Sequence, residues 1–257
     1  MVRGLYTAYT GMSNEQKRLD IVANNLANAA TTGYKKENVT NQSFDEVLTL
    51  KIRDESEAYN DRPIGSMTPG VKLGEVYTDY NQGSLRQTSN TYDIALEGKG
   101  FFAVSVTDKS GNAGTKYTRN GSFTMTKDGA LVDQDGNHLL GESGEILIPA
   151  DAAEVIIDEN GDIYGDGSYI DTIRVSDFDN YDYLVKYGDT MYEALEGAVE
   201  IPSGASVRQG YTEQSNVSPV KEMVDLITVT RAYEANQKVI QSIDKTLDLA
   251  VNSVGKI

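Results

Sequence analysis

The sequence predicts an α+β protein in which long N- and C-terminal helices form a coiled-coil-like helical domain, with an antiparallel all-β domain inserted between them. Three observations predict it. Apolar residues recur every seven positions at both ends of the chain, the pattern switches to a period of two in between, and Asp-Gly and Asn-Gly pairs separate the strand-like runs. The boundaries read as an N-terminal assembly helix over 1–34 and an extended arm or hairpin with linker over 35–74. A β-rich middle follows over 75–216, then a C-terminal assembly helix over 217–257 that pairs with the first.

In the first segment Leu5, Met12, Leu19 and Leu26 repeat at seven, and Tyr9, Gln16, Ala23 and Ala30 follow each by four. This is one narrow stripe of a helix, suited to a seam between helices. A helix over residues 3–30 would run roughly 40 Å at 1.5 Å per residue. Thr31 and Thr32 are β-branched and Gly33 can take a left-handed cap, so the helix is expected to stop there. Its ending, "ANNLANAATTGYK", holds small residues and asparagines where a closed domain would place leucine and isoleucine.

Residues 51–74 show neither period and contain two prolines, which reads as an extended arm. Beyond them, "DIALEG", "FFAVSV", "ALVD", "EILIP", "EVIID" and "TIRV" are short β-type runs. Turn pairs such as Asp128-Gly129, Asp135-Gly136, Asn160-Gly161 and Asp166-Gly167 divide them.

The last helix has the clearest start, with Ser218 as a cap candidate and Pro219 at the first helical position. Leu226, Tyr233, Ile240, Leu247 and Val254 repeat at seven, and Val229, Asn236, Ile243, Ala250 and Ile257 sit three residues after each. Asn236 is the one polar residue in this seam, a placement that commonly fixes register at a cost in stability. Two completions of the stripes stay open. The helices pair as an antiparallel hairpin capping one chain, or helices of other copies complete each stripe.

Composition removes several chemistries. The 257 residues include no cysteine, so disulfides, thiolate catalysis and Cys-ligated metals are excluded. No apolar run approaches the roughly 20 residues of a membrane helix, and the opening residues have no continuous apolar core of a cleaved secretory signal. Of the net charge of −16, residues 1–36 contribute +3 and residues 218–257 contribute nothing, so the middle carries −19. An acidic body argues against a nucleic-acid partner.

No catalytic or metal site emerges from the motifs. "GKGFFA", Gly98 to Ala103, has the letters of a dinucleotide loop, but "VSVTDK" follows as strand where that loop needs a helix. Asp158, Asn160 and Asp162 fit the first three liganding positions of a calcium loop. Ile163 then replaces its glycine and Tyr169 its final glutamate, so hairpin turns account for the acids better. His138 is the only histidine and no nucleophile elbow accompanies it.

Three blocks carry a family resemblance. They are "GLYTAYTGMSNEQKRLDIVANNLANAATTGYKKENV", then "GSLRQTSNTYDIALEGKGFFAV" with "YTRNGSFTMTKDGALVDQDGNHLLG", and finally "GYTEQSNVSPVKEMVDLITVTRAYEANQKVIQSIDKTLDLA". In order and at both ends, they resemble the flagellar rod and hook family of bacterial axial proteins. The short β body is more similar to basal-body rod proteins than to the hook protein, without deciding between distal and proximal rod.

The resemblance implies a structural subunit, without enzymatic activity, metal or cofactor. It would leave the cell by the flagellar export apparatus without a cleaved signal peptide and polymerise beneath a rod cap. Its partners would be copies of itself in a helical polymer and other rod and hook proteins, with no nucleic acid and no membrane insertion. The assembly interface would comprise Leu5, Met12, Leu19, Asn24, Asn25 and Leu26 in the first helix. In the second it would comprise Leu226, Tyr233, Asn236, Ile240, Ile243, Leu247 and Val254. Two rival readings are a secreted β-domain adhesin, for which the helices would be dispensable, and a rod-associated wall-processing enzyme, which would need a paired-carboxylate cleft.

Overall fold

A computed structural model of the protein describes residues 2–50, 63–107, 113–149, 152 and 154–254. Residues 51–62 of the expected arm, and Ile257 of the expected seam, lie outside the described residues. The chain divides into two compact units. A helical unit takes residues 1–27, 37–79 and 218–257, and a β unit takes residues 28–36 and 80–217.

The coiled-coil-like helical domain expected from the heptads is not what forms. Among the described residues the chain has one long helix near each end, α1 (Val2–Ala27) and α2 (Pro219–Leu249), and is otherwise mostly strands. The two helices share their unit with two two-stranded antiparallel sheets. Strand Glu37–Ser43 pairs with Val71–Thr78, and Val47–Leu50 pairs with Pro63–Met67. The physical reason lies on the flank of α1 that α2 leaves uncovered. Strand Val71–Thr78 packs there, Asn14 donates to the Asn41 side chain at 3.1 Å, and a Cβ on Gly70 would strike the Thr10 hydroxyl. Such close sheet-to-helix contact, made possible by a glycine, replaces the second helical neighbour that a coiled coil would supply.

α1 ends at Ala27, short of the Thr31-Thr32-Gly33 stop. α2 begins at Pro219 with Ser218 as its N-cap residue. The Ser218 carbonyl accepts the Glu222 N–H at 3.0 Å, while its hydroxyl makes no cap bond.

The β unit is antiparallel throughout its named strands. Its largest sheet runs in the order Leu184–Tyr187, Met191–Ala194, Ala113–Thr118, Phe101–Thr107, His138–Leu139, Leu131–Val132, Thr124–Met125. Val175–Phe178 also pairs with Phe101–Thr107 and carries Glu200–Pro202 on its other side. Alternation along the central strand explains the unbroken apolar run "FFAV". Phe102 and Val104 point into one core with Ile94, Leu96, Phe123 and Leu131, while Phe101 and Ala103 point into a second with Tyr117, Phe178, Leu184 and Tyr192. The tight turn through Gly98 and Gly100, both at positive φ, leads into this strand, which is where a dinucleotide loop would have required a helix.

Candidate assembly surfaces

Within the helical unit α1 and α2 pack antiparallel, and the glycines of α1 give the register. A Cβ on Gly4 would lie 3.6 Å from Ile243 Cδ1, and one on Gly11 would lie 3.1 Å from Asn236 Nδ2. Two heptads on from Gly11, the Asn25 amide comes within 3.5 Å of Glu222. Every seven residues forward on α1 is thus matched by seven back on α2, which fixes the antiparallel register of the pair. Asn236, the polar residue of the seam, sits where α1 has no side chain, so Gly11 makes room for its amide. A glycine inside a helix costs about 0.5–1 kcal/mol relative to alanine. That cost is offset here by close helix approach.

The seam residues are only half covered. Leu5, Met12, Leu19 and Leu26 of α1 are half-buried, as are Leu226, Tyr233, Asn236, Ile240, Ile243 and Leu247 of α2. The last turn of α2's extension reaches Val254 as a π-helical turn, and only the backbone of Val254 is described. The sole buried apolar residue of α2 is Val229, at 0% exposure. On the opposite face of its first turns, Val220 (69% exposed), Met223, Val224 and Ile227 (52%) form a continuous apolar patch.

The asparagines after Ala23 divide by role. Asn24 is exposed. Asn25 is buried and clamps the backbone of Glu37, donating to its carbonyl at 2.8 Å and accepting from its N–H at 3.0 Å. The two bonds hold the start of strand Glu37–Ser43 against the end of α1.

The remainder of "ANNLANAATTGYK", from Asn28 on, belongs to the β unit. Gly33 adopts φ +69°, and its N–H donates to the Glu213 carbonyl at 2.8 Å. A Cβ there would fall 2.3 Å from the Asn120 nitrogen, so no other residue fits. Tyr34 is fully buried, with the Lys186 ammonium 4.5 Å from its ring centre. Lys35 is 1% exposed and donates to Glu213 Oε1 at 2.6 Å and to the Asn81 carbonyl at 2.8 Å.

Glu213, equally buried, also accepts the Gly83 N–H at 2.8 Å and an Arg119 N–H at 3.2 Å. The other end of the Arg119 guanidinium donates to the Gly98 carbonyl at 2.7 Å and lies over Phe101. The sequence does not announce this buried cluster. Lys35 stands in a conspicuous "TGYK", but nothing marks Glu213, 178 residues away, as its partner.

The other candidates resolve into structure. Asp158 and Asp162 close a hairpin turn through their backbones, and among the described residues no group of three or more metal-ligating side chains converges. His138 lies in a strand with Nδ1 3.6 Å from Glu145. No helix of the described residues is long and apolar enough to cross a membrane.

Comparison with known proteins finds three family matches in the same order along the chain. Residues 5–35 match the family described as flagella basal body rod protein. Residues 95–165 match the flagellar hook protein FlgE/F/G D1 domain, and residues 208–253 match the flagellar basal body rod FlgEFG protein C-terminal family. Full-length relatives agree. The flagellar basal-body rod protein FlgG of Agrobacterium fabrum is 33% identical, over 95% of this chain and 96% of its own length. FlgG of Bacillus subtilis is 32% identical over 98% and 99%. The flagellar basal-body rod protein FlgF of Caulobacter vibrioides is 33% identical over 97% and 98%.

Proposed function

Because this chain belongs to the flagellar basal-body rod protein family, we infer that it polymerises through its terminal helices into the tube that links motor to hook. It is a structural subunit of the rod and resides in the flagellar basal body. The observation that carries the polymerisation reading is the unequal coverage of α2. Its seam is half-buried against α1, and its opposite face is apolar and exposed. Apolar surface left open on a helix gains about 25 cal/mol per Å² when a neighbour covers it.

Leu5, Met12, Leu19, Leu226, Tyr233, Ile240 and their heptad companions are the proposed assembly residues. Other copies of this chain, other rod and hook proteins, the export apparatus and a rod cap are the proposed partners. Neither the adhesin nor the wall-processing enzyme draws support from the relatives' names, and the subunit acts without catalysis on this reading.

Electron microscopy of basal bodies carrying a tagged copy tests it. The tag is expected along the rod, and its absence there would overturn the reading. Release of peptidoglycan fragments by the purified chain would instead favour the enzyme.

A further inference from the structure

We propose that a pocket between α1 and the strand Val71–Thr78 receives the C-terminal turns of α2 from a second copy of this chain, an interaction that rests on the rod reading. The pocket encloses about 250 Å³. Its apolar floor is Phe44, Val71 and Leu73, and the ammonium groups of Lys17 and Lys72 stand at it, the latter 5.9 Å from the Phe44 ring centre. Asn14 lines it and is 5% exposed. One end of its amide is used by Asn41, but the carbonyl oxygen has no hydrogen-bond partner. A buried amide oxygen without a donor is costly, so the pocket is built to receive one.

The end of α2 has the complementary chemistry. Asp244 and Asp248 lie one turn apart near the end of α2, and Val251 follows in the π-helical turn. Leu249 is 60% and Val251 70% exposed, and the Asn252 amide, which gives one N–H to Asp248 at 2.5 Å, carries a second. By the register Ile243 stands opposite Gly4, and beyond it Leu249 and Val251 of this chain are exposed. Carboxylates would meet Lys17 and Lys72, the aliphatic side chains would meet Val71, Leu73 and Phe44, and an amide N–H would reach Asn14. Pocket and projecting turns are different surfaces of one chain. Their contact is therefore heterologous, the kind that can repeat along a helical array, where a self-complementary patch would stop at a dimer.

The chain contains no cysteine, which makes cross-linking clean. Ser13→Cys at the pocket and Asn252→Cys on α2 are introduced together into the full chain, and basal bodies are mildly oxidised. By the register, Ser13 lies opposite residue 234, about 27 Å along the helix from residue 252. A disulfide needs Cα atoms within about 7 Å, so any bond joins two copies. A ladder of covalent multimers in the double variant, absent from either single variant, is the expected result. Rods that form yet run as monomers on a denaturing gel would overturn the contact while leaving the rod reading intact. Should the cysteines themselves prevent rods, charge reversal decides. Lys17→Glu with Lys72→Glu should abolish assembly, and adding Asp244→Lys with Asp248→Lys should restore it; no restoration would overturn the proposal. Basal bodies lacking the wild-type chain altogether would defeat the rod reading itself.

Discussion

The β unit and the helical unit solve the burial problem in opposite ways. In the β unit, Phe101, Phe102, Phe123, Leu131, Leu139 and Tyr192 are each at most 1% exposed, and even its charged cluster is sealed. In the helical unit, α2 spans 31 residues and buries only Val229 and Glu222. A unit that finishes its core within one chain can serve as a rigid body. One that leaves apolar surface on both sides of a helix stays incomplete until neighbours arrive. On the polymer reading, folding belongs to one unit and assembly to the other, and mutations should separate the two.

The largest effect should come from Lys35→Met, which attacks the completed unit. It leaves Glu213 buried with one cation fewer and takes from the Asn81 carbonyl one of its two donors, the Asn216 amide remaining. Breaking a buried ion pair by removing one partner costs about 3–5 kcal/mol. Urea unfolding of the full chain, followed by loss of β structure, should show a midpoint lowered accordingly. A midpoint within error of wild type would mean that the cluster is not what holds residues 28–36 in the β unit. For the same reason, a fragment of residues 75–216 should keep β structure yet melt well below the same unit in the full chain.

Ile240→Asp attacks the incomplete unit. Ile240 is half-buried in the seam of the single chain, and the polymer reading has neighbours covering the rest. Losing the isoleucine forfeits roughly 2 kcal/mol at most, and each contact that desolvates the carboxylate adds further cost. The β unit should melt as in wild type and the protein should be secreted, while cells lack rods and do not swim. Asn236→Asp, one polar group for another, should harm assembly less. Normal rods with Ile240→Asp would show that this stripe takes no part in assembly.

A smaller effect tests the register. Gly11→Ile places a branched side chain against the Asn236 amide, where even a Cβ comes within 3.1 Å. Overpacking of this kind costs about 1–3 kcal/mol. Asn236→Ala should recover part of the loss in a double-mutant cycle, because the two residues share one space. Strict additivity of helical-unit stability would rule out the Gly11–Asn236 contact.

The heptads were legible because a helix repeats its face in the sequence itself: Leu226, Tyr233 and Ile240 announce one side of α2, and Asn236 stands out among them. What the repeat cannot carry is the identity of whatever faces it. Gly11 reads as a helix weakness until Asn236 is placed opposite, and nothing in Leu5 to Leu26 says that a β sheet takes the flank of α1 in place of more helix. For that reason the heptads predict a coiled-coil-like domain where the chain forms two helices flanked by strands.

The β strands were visible through their turns, since Asp-Gly and Asn-Gly pairs act locally. Lys35 and Glu213 were not, because their pairing depends on a chain path closed only in three dimensions. Gly33 was recognised as a place where the backbone turns. The collision with Asn120 that makes glycine obligatory there could come only from the fold.

The smallest effect is expected at Glu200, on the outer strand of the large sheet. Burial alone would raise its carboxyl, but hydrogen bonds from Ser176 and Arg174 outweigh that and hold it below the usual carboxylate value of 4.5. The same carboxylate, after burial itself, pushes the Tyr117 hydroxyl up. A carboxyl whose folded value is depressed binds protons less readily in the folded state than in the unfolded one. Its contribution to stability is therefore fully present above about 4.5, and is lost as pH falls through the depressed folded value. Glu200 is partly exposed, so solvent screening keeps the contribution small, as for most surface pairs. Glu200→Gln should lower the melting temperature of the β unit slightly at pH 7. At pH 3 the gap between variant and wild type should narrow, because the wild-type carboxyl is then losing its charge as well. Melting curves at the two pH values check this, and a gap that widens on acidification would reverse the sign assigned to Glu200.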